Sequence, residues 1–245
     1  MLIIRNPATG AVIAQKPVDT ASQIADKYRR ARKAQPTWAQ TPYQIRAAAI
    51  LRFRDLLIKN ADDLAQTLSA EMGKPLSQAK GEIRATPQRI DFFLKHTEEA
   101  MKEELAAESG LTGGTREVIT QEPLGVIANI SAWNYPYFVG NNVFIPALLT
   151  GNTVLYKPSE FATLSGIAID SMMHEAGIPA DAFITVIGGG AEGAEILKHP
   201  VNGVFFTGSY GTGKKIAESV AGRMIRIQLE LGGKDPVYVC EDVDI

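Results

Sequence analysis

The sequence predicts an α/β fold in which a twisted parallel sheet carries helices on both faces and a helical N-terminal segment wraps around it. After Pro123, continuous apolar runs of strand length alternate with segments of helical periodicity. This alternation is typical of parallel strands that are buried on both faces. Before Pro123, the pattern is two short strands and then mostly helices. We therefore expect residues 1–122 to pack on an α/β domain of residues 123–245.

The N-terminal segment begins with a predicted hairpin. Leu2–Ile4 and Ala11–Gln15 flank an Asn-Pro-Ala-Thr-Gly stretch, a composition that favours a turn. Thr41-Pro42 supplies a cap and a proline for the start of a helix. Asn60 is the expected cap of the next helix, which Gly73 should end.

The rest of this segment is predicted to contain one more helix, a loop and a strand. A helical pattern runs through Ile83 and Phe93, and Pro87 should kink it. A glycine-rich loop, Ser109–Gly114, follows. The alternating pattern of Arg116–Glu122 predicts a strand.

Six apolar runs of strand length follow Pro123, with helical stretches between them. The predicted strands are Val126–Ile130, Thr153–Tyr156, Phe183–Ile187, Val204–Phe206, Ile225–Leu229 and Val237–Val239. The predicted helices are Phe138–Thr150, Leu164–Ala176, Gly190–Leu197 and Gly213–Ala221.

The composition argues against several classes of function. Lys+Arg number 25 and Asp+Glu 27, a formal net charge of −2, so no nucleic-acid partner is expected. The basic run Tyr28–Lys33 lies in a helical pattern and is interpreted as a solvated face. The single cysteine, Cys240, fits a reducing compartment. Without a signal peptide or an apolar stretch of the ~20 residues that a membrane helix needs, we expect a soluble, cytoplasmic protein with no membrane association and no metal site.

Polar or glycine-rich turns follow five consecutive predicted strands. They are Ser131–Pro136, Lys157–Glu160, Gly188–Gly190, Thr207–Ser209 and Glu230–Gly233. Since ligands of parallel α/β sheets bind outside the carboxyl ends of the strands, these turns predict one functional rim.

The turns after the third and fourth predicted strands allow different interpretations. The stretch from Gly188 to Gly193 matches G-x-G-x-x-G, but Glu192 would put a negative charge where a phosphate would bind. We therefore favour a supporting role, in which the glycines allow a tight turn and close packing. Ser209 precedes a helix, so its turn predicts either an anion site or an ordinary N-cap.

The other turns also leave alternatives open. Trp133 and Asn134 can have structural roles, as a packing residue and a turn residue. Alternatively, the Asn134 amide N–H stabilises an oxyanion at the rim. Lys157 and Glu160 form either a surface ion pair or a set of ribose and phosphate ligands.

Five motifs occur in order along the chain and suggest a family. They are Trp133–Pro136, Gly151-Asn152, Lys157–Glu160, Phe206–Ser209 and Glu230–Lys234. In this order they closely resemble the aldehyde dehydrogenase superfamily. Asn6–Gly10 and Glu71–Pro75 resemble its N-terminal region, so the resemblance covers essentially the whole chain. It implies a Rossmann-like NAD-binding domain.

The resemblance also implies a mechanism. In the family, a cysteine thiolate attacks an aldehyde, an Asn amide holds the oxyanion, hydride passes to nicotinamide, and a glutamate activates water. Asn134 matches the amide donor and Glu230 the glutamate. The cofactor positions that match are Lys157 and Glu160 at the adenosine ribose, Gly189 and Gly193 at the adenine pocket, Gly208 and Ser209 at the pyrophosphate turn, and Trp133, Thr207, Leu231 and Gly232 near the nicotinamide. A carboxylate at Glu160 would repel a 2′-phosphate, which favours NAD over NADP.

The expected nucleophile lies beyond the end of this sequence. Cys240 comes too early for the family position, and the acidic residues after it would raise its pKa, so we interpret it as structural. The resemblance implies that the catalytic domain is absent, that a second polypeptide could supply it, and that the whole enzyme is a homo-oligomer. A small projecting β-element with Arg116–Glu122 would then pair with another subunit. The alternative is a catalytically inactive NAD-binding or interaction protein derived from such an enzyme.

Overall fold

The computed structural model describes residues 1–108 and 114–244. Its helices are α1 (Ala21–Gln40), α2 (Tyr43–Lys59), α3 (Ala61–Met72), α4 (Leu76–Ala100), α5 (Pro136–Leu149), α6 (Thr163–Glu175), α7 (Gly190–Lys198) and α8 (Tyr210–Val220). Its strands are β1 (Leu2–Arg5), β2 (Val12–Lys16), β3 (Glu104–Ala107), β4 (Glu117–Ile119), β5 (Val126–Ile130), β6 (Thr153–Lys157), β7 (Phe183–Thr185), β8 (Gly203–Gly208) and β9 (Arg226–Leu231).

The predicted parallel sheet is confirmed. Its five strands lie in the order β7-β6-β5-β8-β9, and every neighbouring pair is parallel. All five residues of β5 are buried, which explains its continuous apolar sequence. The chain proceeds from β5 to β6 and β7 on one side, and then to β8 and β9 on the other. The strand order therefore reverses between β5 and β8, and such a switch point opens a crevice at the carboxyl ends of the strands.

Helices cover both faces of this sheet, and the N-terminal helices contribute to both layers. On one face, Ile24 of α1 belongs to the same apolar cluster as Ile196 of α7 and Ile216 of α8. On the other face, Phe53 of α2 belongs to a cluster with Phe144 of α5 and Phe183 of β7. The predicted helical wrap is confirmed, because its apolar side chains complete the two cores of the sheet.

Several local predictions in the N-terminal segment need correction. Gly73 ends α3 with a left-handed φ of 79°, as predicted. Thr41, however, does not cap α2: its hydroxyl donates to the Thr37 carbonyl. The Asn60 side chain likewise donates back to the Leu56 carbonyl and caps nothing. Both side chains satisfy the end of the preceding helix instead. Pro87 lies inside α4, which continues as one helix on both sides of it.

The structure confirms the predicted short strands outside the parallel sheet, but their residue ranges differ from the predicted ones. β1 and β2 form the predicted antiparallel hairpin. β4 is shorter than the predicted strand Arg116–Glu122, and it pairs with β3, for which no strand is predicted. Both strands of this pair are mostly exposed, which makes it the projecting element. Residues 109–113 of the predicted loop Ser109–Gly114 lie outside the described residues.

The predicted strand Val237–Val239 is wrong. The described residues 232–239 form no strand, and Val237 and Tyr238 are 86% and 88% exposed. A strand needs a neighbouring backbone for its hydrogen bonds, and Val237–Val239 pair with no strand within the described chain.

An ion pair on α6 should make stability depend on pH. His174 Nε2 lies 3.5 Å from Asp170 Oδ2, and this hydrogen bond raises the pKa of His174. Burial would raise the pKa of Asp170, but hydrogen bonds from His174 and Thr185 outweigh it, so that its pKa is lowered. The contribution of His174 is thus complete below its unfolded pKa and is lost as the pH rises through the raised value.

We therefore expect the stability advantage of the wild type over His174→Gln to shrink by about 0.5 kcal/mol between about pH 5 and about pH 9. Urea unfolding of both proteins at the two pH values measures this difference. If the stability difference between the two proteins is the same at both pH values, the prediction is wrong.

Candidate functional site

The turns at the carboxyl ends of β5, β6, β8 and β9 enclose a cavity of about 740 Å³. The predicted site residues that line it are Trp133, Asn134, Lys157, Glu160, Gly193, Thr207, Gly208, Ser209, Glu230, Leu231 and Gly232. Gly189 lies just outside this lining, and a Cβ there would stand 3.6 Å from Glu160 Oε1. The structure therefore brings the predicted rim together in one crevice.

Lys157 and Glu160 provide charged groups on one wall of the cavity. Lys157 ends β6 and is buried, and its ammonium donates to the Pro158 carbonyl at 3.1 Å. Glu160 Oε2 lies 3.7 Å from the same nitrogen, and its side chain is 36% exposed. Burial lowers the pKa of Lys157, although Glu160 acts in the opposite direction. The pair offers a donor and an acceptor side by side, which suits a ligand with vicinal hydroxyls.

The glycine-rich turn before α7 is built for packing. The Glu192 carboxylate accepts the Gly189 N–H at 2.7 Å and so places a negative charge at the N-terminus of the helix. A phosphate there would be repelled. A Cβ on Gly193 would lie 3.4 Å from Lys157 Cδ, an ordinary contact distance, so this glycine places the first turn of α7 beside Lys157. These contacts support the interpretation of a supporting turn.

The turn after β8 presents a helix N-terminus to the cavity. Ser209 caps α8, because its hydroxyl accepts the Thr212 N–H at 3.3 Å. A Cβ on Gly208 would lie 2.4 Å from Phe206 Cζ, so a larger residue there would displace the Phe206 ring. The capping interpretation of Ser209 is confirmed, and the same helix end also suits an anion.

Asn134 and Glu230 occupy the rim near the ends of β5 and β9. The Asn134 side-chain oxygen accepts the Tyr135 N–H at 3.1 Å. Since this partner is a backbone donor, it distinguishes the amide oxygen from the NH₂ group and restrains the orientation of the amide. Glu230 lies in register with Thr207 of β8, and its exposed carboxylate accepts the Gln228 side chain at 3.1 Å. The arrangement provides an amide donor and a carboxylate at the same cavity.

Three buried side chains outside the predicted site bind the loop of Asn134 and the starts of α5 and α6. Lys74 donates to the Asn134 carbonyl, Glu82 accepts N–H groups at the start of α5, and Glu71 accepts those of Leu164 and Ser165 on α6. Each carboxylate thus satisfies free donors at a helix N-terminus. The motif Glu71–Pro75 contains Glu71 and Lys74 but not Glu82, and no local pattern reveals the roles of these residues.

Two further lining residues, Thr212 and Ile216, lie one turn apart on α8. Helical spacing from Ser209 could have identified them.

Other features of the described chain lie outside the cavity. Cys240 is exposed and does not line it. Among the described residues, no cluster of three or more His, Cys, Asp or Glu side chains could hold a metal ion. The helices of the described ranges also lack the combination of length and apolar character that crossing a membrane requires.

Comparison with known proteins agrees with the resemblance of the motifs. The model of the aldehyde dehydrogenase family matches residues 2–245. The chain is 37% identical over 246 residues to 3,6-anhydro-alpha-L-galactose dehydrogenase from Streptomyces coelicolor, an alignment that covers 100% of this chain and 49% of that protein.

Solved structures extend the comparison. NADP-dependent glyceraldehyde-3-phosphate dehydrogenase from Bacillus halodurans C-125, complexed with NADP, matches with a TM-score of 0.90 and 32% identity over 99% of this chain and 51% of that one. NAD-dependent benzaldehyde dehydrogenase from Corynebacterium glutamicum matches with a TM-score of 0.88 and 30% identity over 94% and 50%. The chain spans about half the length of these relatives. It belongs to the aldehyde dehydrogenase family, whose N-terminal half it matches.

Proposed function

We propose that the chain is the cofactor-binding half of an NAD-dependent aldehyde dehydrogenase, which oxidises an aldehyde to a carboxylic acid. The observation that carries the proposal is that Asn134, Lys157, Ser209 and Glu230, at or just after the carboxyl ends of four different strands, line one cavity. That cavity lies at the switch point of a parallel sheet, where such folds bind nucleotides.

The lining residues fit a nicotinamide dinucleotide. Lys157 and Glu160 would hold ribose hydroxyls, and the N-terminus of α8 at Ser209 would receive the pyrophosphate. A side chain at Gly208 would displace the Phe206 ring, which also lines the cavity. When bound, the nicotinamide ring supplies the hydride acceptor.

Asn134 and Glu230 supply the polar chemistry. The Asn134 NH₂ group would donate to the carbonyl oxygen of the aldehyde as negative charge develops on it. The Glu230 carboxylate would take a proton from the water that releases the acid. A cysteine from a second polypeptide segment would provide the nucleophile, because Cys240 does not line the cavity.

The proposal favours NAD over NADP. The Glu160 carboxylate can accept a hydrogen bond from a ribose 2′-hydroxyl but repels a 2′-phosphate. The relatives include proteins described as NADP-dependent and as NAD-dependent, so the family alone supports either cofactor.

We extend the proposal to the organisation of the whole enzyme. Residues 1–122 would pack on the NAD-binding domain of residues 123–245, and the catalytic half would lie on a second polypeptide or on the continuation of a longer chain. The β3–β4 element would join subunits of a homo-oligomer. Its exposed Leu105, Val118 and Ile119 support this role, because exposed apolar patches mark interfaces.

Calorimetric titration of the purified chain with NAD and with NADP tests the cofactor site. We expect NAD to bind, and NADP to bind roughly tenfold more weakly because of charge repulsion at Glu160. Glu160→Gln should reduce this difference. If neither nucleotide gives a heat of binding, the proposed cofactor site is wrong.

An assay of NADH formation with a panel of aldehydes tests the catalytic part. The chain alone should show no turnover, and addition of the C-terminal half of the Streptomyces coelicolor relative should restore it. Cysteine-dependent oxidation by the chain alone would contradict the assignment of the nucleophile. Nucleotide binding without rescue by that half would favour an inactive NAD-binding protein.

A further inference from the structure

A buried ion pair outside the cavity contacts the loop that carries Asn134. Lys74 lies just after α3 and Glu82 lies on α4, and their side chains are 6% and 0% exposed. Lys74 Nζ is 2.5 Å from Glu82 Oε2. The same nitrogen donates to the backbone carbonyl of Asn134 at 2.6 Å and lies 3.7 Å from the centre of the Tyr135 ring. The ammonium therefore contacts the backbone of one loop residue and the ring of the next.

The Glu82 carboxylate binds the other end of the same loop. Its Oε1 accepts the Tyr137 N–H at 2.9 Å and the Phe138 N–H at 3.4 Å. Both groups belong to the first turn of α5, where N–H donors need partners from outside the helix ladder; the Phe138 N–H also donates to the Tyr135 carbonyl at 3.1 Å. One ion pair thus holds the loop on both sides of Pro136.

The energetics of burial argue against a purely stabilising role. Removing two charges from water costs several kcal/mol, and a buried pair is often no better for stability than apolar residues of similar size. Here both charges direct their remaining hydrogen-bonding capacity to a single loop. Charge-assisted hydrogen bonds are shorter and stronger than neutral ones, so they restrict where the Asn134 backbone can lie.

Fixing the backbone of Asn134 also fixes its side chain. The side-chain oxygen is held by the Tyr135 N–H, and Tyr135 stacks on Lys74. The amide of Asn134, a residue that lines the cavity, is therefore tied to the position of this loop. An oxyanion donor must be held in advance, because its effect depends on geometry within about 0.5 Å.

We propose that Lys74 and Glu82 are positioning residues that hold the Asn134 amide at the cavity rim. The role of Asn134 as an oxyanion donor rests on the proposed function. The contacts themselves are independent of it.

The test is NMR of the chain labelled with ¹⁵N, in which Asn134→Asp identifies the Asn134 side-chain signals. In Lys74→Met/Glu82→Gln, no buried charge remains unpaired and the Gln oxygen can still accept the Tyr137 N–H. We expect the Asn134 NH₂ signals to shift and the Tyr135 N–H to exchange with solvent about tenfold faster or more, because charge-assisted bonds to the loop are lost. Unchanged signals and exchange in the folded double variant would overturn the proposal.

Glu71→Gln is the matched control. Glu71 is also a buried carboxylate that binds N–H groups at a helix start, but its partners are on α6. The Glu71→Gln variant should have a lower unfolding temperature but unchanged Asn134 signals. If the signals only reflect a general loss of stability, they will change in both variants. If the double variant does not fold, the single variant Glu82→Gln is measured instead. We expect the same changes with smaller amplitude, and the absence of any change would overturn the proposal. A wild-type chain that fails to bind NAD would remove the proposed function but leave these outcomes readable.

Discussion

Replacing Lys157 by methionine is expected to weaken NAD binding about ten- to a hundredfold, since a hydrogen bond from a charged group contributes roughly 1.5–3 kcal/mol and 1.4 kcal/mol is a factor of ten. Methionine has a similar length and tolerates burial, so the fold should persist. Because burial lowers the pKa of Lys157, wild-type affinity should also fall at alkaline pH, as the ammonium loses its proton. Calorimetric titration of both proteins measures the change.

Lys198→Met provides the control for this prediction. Lys198 lies at the end of α7 and pairs with Glu195 at the surface, outside the cavity lining. Its replacement should leave the dissociation constant within about twofold, as expected for a surface substitution. Equal losses in the two variants would mean that nonspecific charge holds the nucleotide. Full affinity in Lys157→Met would exclude Lys157 from the site.

Phe144→Ala is expected to lower the free energy of unfolding by about 3–5 kcal/mol, the usual cost of removing a buried aromatic ring. Phe144 of α5 is fully buried, and its ring packs edge-to-face against Phe53, Tyr156 and Phe183 at centroid distances of 6.4, 5.3 and 5.2 Å. It thus joins a wrapping helix, a flanking helix and two strands. Loss of this ring leaves a cavity that rigid neighbours cannot fill.

Urea unfolding followed by circular dichroism measures this loss, and Phe92→Ala is its control. Phe92 lies on α4 and is 47% exposed, so its removal should cost about 1 kcal/mol or less. Similar costs for the two substitutions would contradict the assignment of Phe144 to the centre of the core.

The strands that the sequence predicts correctly are those whose surroundings are uniform. Every residue of β5 and β6 is buried, so an apolar run is sufficient to identify them. The candidate rim is predictable for a related reason, because parallel strands direct all their carboxyl ends to one edge. Local sequence is less informative where a residue has two possible partners. Thr41 and Asn60 resemble N-caps, yet each bonds the helix before it.

Hydrophobic periodicity and turn composition are local properties, so they suffice to predict the parallel sheet, its helical cover and the loops that form the cavity. Contacts between distant segments are not local, and only they show that Val237–Val239 is not a strand and that Lys74 and Glu82 hold the Asn134 loop. A strand requires a neighbour, and a buried charge requires a partner. Lys74 and Asn134 are 60 residues apart in sequence, so only folding brings them into contact.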